Sequence, residues 1–234
     1  SSRRASTPRP SARTARANGG GGARHRDACV RSKLLMHPDS AFRWEDRDAM
    51  RALVSELGFG ALFAATPDGP RVVHLPVVWQ GETTLAFHVA RGNGIARHLD
   101  GATGLFTVQG PDGYISPDWY GLDANQVPTW NYVTVELEGR IARMDQQGLV
   151  AQLDQVSALQ EARLAPKAPW TRAKMDPSVF ERMTRGIIGF TLEVQGWRGT
   201  RKLGQNKPVA ARLAAADGVE NAGRRAIAHW MRSA

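Results

Sequence analysis

Residues 110–132 read GPDGYISPDWYGLDANQVPTWNY. This stretch holds all three tyrosines of the protein and two of its seven tryptophans. Two aromatic clusters, residues 114–120 and 129–132, flank a short polar loop at 121–126. Tyrosine and tryptophan join a large ring to a polar handle that needs a hydrogen-bond partner when buried. Beside Ser116, Thr129 and Asn131, this mixture suits a surface that receives a flat polar ligand. A plain hydrophobic core has little use for it.

Three further segments carry candidate chemistry. In Val73-His74-Leu75-Pro76, Pro76 has no N–H for a strand ladder and marks an edge or bulge. Such a place can re-aim His74 into a site, although a satisfied structural histidine reads equally well. In residues 87–94, FHVARGNG, Gly92 and Gly94 allow a close turn into a helix start and Arg91 adds a fixed charge. That combination suits a phosphate; the plainer reading is a helix cap with a surface arginine. Residues 197–208 gather Arg198, Arg201, Lys202 and Lys207 around Gln205 and Asn206. Cations near a glycine turn can hold phosphate or RNA, and more often form a solvated loop.

Other chemistries are excluded. The six histidines show no paired metal spacing, and no nucleophilic triad or carboxylate pair emerges. No phosphate-binding glycine motif of the kinase or dinucleotide type follows a strand. The single cysteine, Cys29, rules out an internal disulfide framework and a thiolate metal site in the body. No run approaches 18 apolar residues, so no membrane span is expected, and the compartment reads as cytoplasmic. The net charge is +9. Nine cations and one acid fall within residues 1–35, which leaves +1 for residues 36–234.

The elements that must position these residues follow from patterning. Residues 1–35, rich in Ser, Arg and Gly, cannot bury enough apolar area to order and read as a disordered basic extension. They are either an upstream extension, a basic arm for nucleic acid or an organelle address. Met50, Leu53, Val54 and Leu57 have helical spacing that ends at Gly58. Strands are expected at 60–65, 72–79, 84–90 and 102–109, a long one at 130–144, and another at 187–195. A short helix is expected at 95–100. Asp145 caps a helix running to about residue 162, and a short helix covers 178–184. Residues 196–208 read as a loop, and two helices near 209–216 and 220–232 finish the chain. Six or seven hairpin-spaced strands with a few helices predict a mainly β fold with peripheral helices (α+β), built as an antiparallel barrel. The domain reads as 36–217, with 218–234 a helical tail.

The ordered short matches in this body resemble the PaiB-like FMN-binding negative transcriptional regulators. They are Met36-His37-Pro38 with Phe42, His74-Leu75-Pro76, residues 88–93, Gly110-Pro111, residues 114–117, Trp119-Tyr120, residues 127–132, Pro169-Trp170, residues 186–189 and residues 205–208. The resemblance implies an FMN-binding split β-barrel, a homodimer with FMN at or near the dimer interface, and a regulatory role. It implies that Trp119, Tyr120, Trp130 and Tyr132 line or support the isoalloxazine pocket. Ser116, Thr129, Asn131, Gln205 and Asn206 would supply hydrogen bonds. His74, His88 and Arg91 would face the pyrimidine or phosphate end, and Pro76, Asn93 and Lys202 complete the implied set. The loop at 121–126 is shorter than the family's and has no lysine. Arg91, Arg97, Arg201 and Lys202 are then the phosphate candidates. A flavin-dependent oxidoreductase using NAD(P)H is the alternative, and DNA contact is not evident from the folded domain.

Overall fold

Strand pairing organises residues 36–234, which are the residues described by the computed structural model. The expectations for Ser1–Leu35 lie outside the described residues. In chain order the elements are β1 (Arg43–Trp44), α1 (Arg47–Leu57), β2 (Phe59–Thr66), β3 (Gly69–Pro76), β4 (Val78–Gln80), β5 (Thr84–Ala90), β6 (Thr103–Ile115) and β7 (Thr129–Arg143). Then come α2 (Gln146–Ala162), α3 (Pro177–Thr184), β8 (Ile187–Lys202), α4 (Val209–Asn221) and α5 (Arg225–Arg232). All eight strands form one antiparallel sheet in the order β3-β2-β6-β7-β8-β5-β4, with β1 added beside β8.

The two ends of that order, β3 and β4, are consecutive in the chain. Chain continuity therefore curls the sheet into a barrel. The expected single strand at 72–79 is in fact broken at Val77, whose N–H leaves the ladder and donates to Gly58 O at 2.9 Å. Pro76 is the last residue before the break, where its missing N–H costs nothing.

Two expected boundaries are corrected. The segment 196–208 is not a loop throughout, because β8 continues to Lys202. Its glycines looked like breakers, but pairing with β7 overrides propensity. A Cβ at Gly199 would stand 2.7 Å from Met50 Sδ and 2.9 Å from the Trp44 carbonyl oxygen; glycine lets α1 and β1 close on the strand. Likewise β6 does not stop at Gln109. It passes Gly110-Pro111 through a register shift between Gln109 and Asp112 and ends at Ile115. The helix expected at 95–100 is only a 3₁₀ turn, Ala96–His98.

Alternation on β7 sends Val133, Val135 and Leu137 inward at zero exposure, where they meet Phe106, Val108, Leu192 and the Met50, Leu53 and Val54 face of α1. Asp46 and Asp145 cap α1 and α2 by accepting from Ala49 N and Gly148 N. Gly58 ends α1 in the left-handed region at φ 60°. At the other end of the sheet, α4 runs unbroken through residue 218, and Val219, Ile227, Ala228 and Met231 are buried with the barrel core. No helix among the described residues is long and apolar enough to cross a membrane.

Gly139 sits at the register shift between β7 and β8. A Cβ there would lie 1.9 Å from the Glu193 carbonyl oxygen. Gly139→Ala is expected to lower the urea unfolding free energy by about 1–3 kcal/mol. Gly92→Ala, with open space around it, should change it by less than about 0.5 kcal/mol.

Candidate functional site

The aromatic segment divides between two faces of the sheet. Trp130 and Tyr132 point outward on β7, and Asn131 between them points inward. Tyr114 pairs with Trp130, Ile115 with Thr129, and Tyr132 with Lys202. The Tyr114 and Trp130 rings meet edge to face, 6.2 Å between centroids, and are 49% and 48% exposed. The bulge in β6 places Asp112 beside them. Its Oδ1 accepts from Trp130 Nε1 at 3.3 Å and its Oδ2 from Gln109 Nε2 at 2.8 Å, with Arg224 4.0 Å away. One carboxylate thus holds the indole from the side.

Cations arrive from the end of β8 and the loop after it. Lys202 Nζ donates to Thr129 Oγ1 at 2.6 Å and lies 5.9 Å from the Phe42 ring. Lys207 Nζ donates to Gln126 Oε1 at 2.7 Å and stands 5.3 Å from the Tyr120 ring. Both take neutral oxygens as partners, so their charge is not cancelled. Asn206 is exposed beside them. Gln205 is committed to its own loop, accepting from Leu203 N at 2.8 Å and donating to Arg201 O at 2.6 Å.

The turn between β6 and β7 is scaffolding. Ser116 Oγ accepts from Asp118 N at 3.4 Å, a long bond. Trp119 packs on α4: a Cβ at Gly218 would come within 2.5 Å of its ring. Tyr120 is buried, and burial raises its phenol above the ordinary value. Burial, and then the charge of Glu136, also raises Tyr132. Both phenols stay protonated and able to donate at neutral pH.

The remaining expected residues lie elsewhere. His88 pairs with Gly189 near the start of β8, while Lys202 is its last residue. His88 Nδ1 is 2.9 Å from Gln152 Oε1 of α2. Arg91 Nε donates to Arg185 O at 2.9 Å, and Asn93 Oδ1 accepts from Ile95 N at 3.2 Å. This second group stands at the opposite end of β8 from Thr129, Trp130, Tyr132 and Lys202. His74 is exposed on β3, opposite Ala61 and away from both groups. Asn131 is 1% exposed on the inner face, with both amide atoms lacking a partner among the described residues.

Asp112, Tyr114, Gln126 and Lys207 join this surface and were not in the expected set. Asp112 reads as a turn residue after Gly-Pro, and only the bulge register reveals its place. Among the described residues no cluster of His, Cys, Asp and Glu could hold a metal ion. A surface depression at the α4–α5 turn is lined by Glu220, Asn221, Gly223, Arg225 and Ala226 and has no aromatic ring.

Residues 36–196 match the family described as “Putative FMN-binding domain”. The chain belongs to this family. It is 27% identical over 176 residues, 74% of this chain and 83% of the other, to Protease synthase and sporulation protein PAI 2 of Bacillus subtilis (strain 168). The fold resembles that of the FAD and heme binding protein from Mycobacterium smegmatis, at TM-score 0.51 and 16% identity, covering 68% of this chain and 73% of that one. A conserved hypothetical protein from Mycobacterium tuberculosis gives TM-score 0.51 and 13% identity, covering 73% and 92%. The architecture is thus the split barrel of flavin-binding proteins, and FMN is the cofactor of this PaiB-like chain. The outer surface fits FMN chemically: half-exposed ring faces for a fused aromatic system, hydroxyl and amide groups for its polar edge, and uncancelled lysines for a phosphate.

Asp112→Ala is expected to free the Trp130 indole, seen as increased acrylamide quenching of tryptophan fluorescence. The two side-chain hydrogen bonds lost are neighbours of solvent, so stability should fall by only about 1 kcal/mol.

Proposed function

We propose that this chain is a homodimeric cytoplasmic regulator of the PaiB type that takes up FMN on the outer face of the sheet, where β6 and β8 end and β7 begins. The observation that carries this reading is the half-exposed Tyr114–Trp130 pair held by Asp112 beside the Thr129–Lys202 bond. Trp130, Tyr114 and Tyr132 offer ring faces. Asn206 offers a hydrogen-bonding amide, and Lys202 and Lys207 offer positive charge. FMN, when bound, supplies redox chemistry; the residues of this chain bind and orient it.

A second copy is supported by an apolar surface on the outer face of β2 and β3. Phe59, Phe63 and Val72 are 55%, 40% and 44% exposed on β2 and β3. Val72 pairs with Phe63 and Phe63 with Leu105, so the three side chains form a row on the outer face. Contiguous apolar surface of this kind marks an interaction site. Dimerisation also offers His88 and Arg91 a role they lack within one chain, facing the flavin bound by the partner. Contact with DNA, in this reading, falls to the basic residues 1–35 rather than to the barrel.

FMN titrated into the apoprotein is expected to quench tryptophan fluorescence, with Trp130→Ala reducing the amplitude and weakening binding about tenfold, since one stacked ring is worth roughly 0.5–1.5 kcal/mol beyond its buried area. No quenching and no flavin spectrum at tens of micromolar would sink the placement. Oxidation of NAD(P)H by the loaded protein would instead favour the oxidoreductase reading.

Light scattering after size exclusion should give twice the chain mass, and Phe63→Glu should give a monomer of unchanged circular dichroism. A monomeric wild type removes the dimer from the proposal.

A further inference from the structure

Arginine is a poor choice for the place that Arg224 takes. It is the N-cap of α5, yet its side chain makes no capping bond. Ser, Thr, Asp and Asn are the residues that cap a helix start. Arg225 follows as the first helical residue, so two positive charges crowd the positive end of the helix dipole. Neither local propensity nor the dipole accounts for this residue.

The turn before α5 shows where the side chain goes instead. Gly223 N donates to Glu220 O at 2.8 Å and Arg224 N to Val219 O at 3.1 Å. This is a Schellman closure of α4, with Gly223 in the left-handed region at φ 87°. It sets the direction in which the chain leaves at Arg224. The turn rests on the β6 bulge. A Cβ at Gly113 would lie 3.1 Å from Ile227 Cγ2, 3.4 Å from Val219 Cγ2 and 3.9 Å from Arg224 Cβ; glycine lets both helices close on the strand. Arg224 Nη1 then stands 4.0 Å from Asp112 Oδ1, the same oxygen that accepts from Trp130 Nε1 at 3.3 Å. Gln109 Nε2 holds the other oxygen at 2.8 Å. Among the described residues, Asp112 is the one carboxylate within 4.0 Å of Arg224.

We propose that Arg224 is a positioning residue, which forgoes the α5 N-cap and holds the Asp112 carboxylate against the Trp130 indole. The α4–α5 pair lies beyond the family-matched residues 36–196, so the C-terminal helices of this chain reach into the aromatic surface through one side chain. The consequence for FMN rests on the outer-face reading above; the positioning of Trp130 does not.

An exposed ion pair has a modest effect, so the sign of the response identifies this role. Arg224→Ser supplies a cap, removes a charge from the helix dipole and releases Asp112. In the full chain freed of flavin it is expected to leave the unfolding temperature unchanged or raise it, while acrylamide quenching of tryptophan fluorescence increases. The increase should vanish in a Trp130→Phe background and shrink in an Asp112→Asn background. Arg224→Lys, which keeps the charge, should recover most of the wild-type protection. FMN should bind Arg224→Ser about threefold more weakly. Greater quenching with unchanged FMN affinity keeps Arg224 in its role and takes Trp130 out of the flavin site. Quenching equal to that of the wild type overturns the proposal. So does an increase that Arg224→Lys does not recover, or one that comes with a lower unfolding temperature, since either describes a loosened turn.

Discussion

The ladder between β7 and β8 is the constraint on which the rest depends. It runs from Tyr132 opposite Lys202 to Arg143 opposite Phe190. Period-two alternation makes it do two jobs at once, building the core from Val133, Val135 and Leu137 and the outer surface from Tyr132, Thr134 and Glu136. A slip of one residue would exchange the faces. Two features pin the register. Gly139 lets the Glu193 carbonyl approach at the shift, and Arg198 bridges Glu136 and Glu138 at 2.9 and 3.0 Å. Fixing the middle of the ladder fixes both ends: Lys202 comes beside Thr129, and β5 carries His88 to the far end.

What was legible in the sequence was local. Asp145 announces α2 by its cap, and the alternation after Trp130 announces β7, because both signals reside within a few residues. The extension of β8 was not legible. Gly196 and Gly199 look like breakers in isolation, and the reason for Gly199 is a contact with Met50 and Trp44, about 150 residues away in the chain. The division of the site failed for a related reason. Adjacent residues in a motif seem to belong together, yet Trp130, Asn131 and Tyr132 cannot all face one ligand from a strand.

The dense aromatic segment therefore separates into support and surface. Trp119 spends its ring on Gly218, which ties the turn before the loop to α4. Tyr120 is buried under the Lys207 side. Trp44 and Trp230 meet edge to face where α5 closes on the barrel. With those rings committed to packing, the faces left to a ligand are those of Tyr114 and Trp130, with Tyr132 beside them. Asp112 matters because an exposed indole without such a bond would turn freely, and ordering it on binding would cost affinity.

Charge sharpens the same corner. The described body is nearly neutral, and several of its cations are held by named partners. Arg198 is held by Glu136 and Glu138, Arg172 by Asp154, Arg232 by Asp217 and Glu220, and Arg163 by two carbonyl groups. Arg201, Lys202 and Lys207 are among the cations not within ion-pair distance of a carboxylate among the described residues, and they stand close together in sequence. Seven consecutive positions of sequence thus deliver three cations without a carboxylate partner among the described residues. What a ligand meets is this local field and not the net charge of the chain. A mononucleotide phosphate needs only a few donors and a local positive field, so its capture does not depend on the overall charge balance of the body.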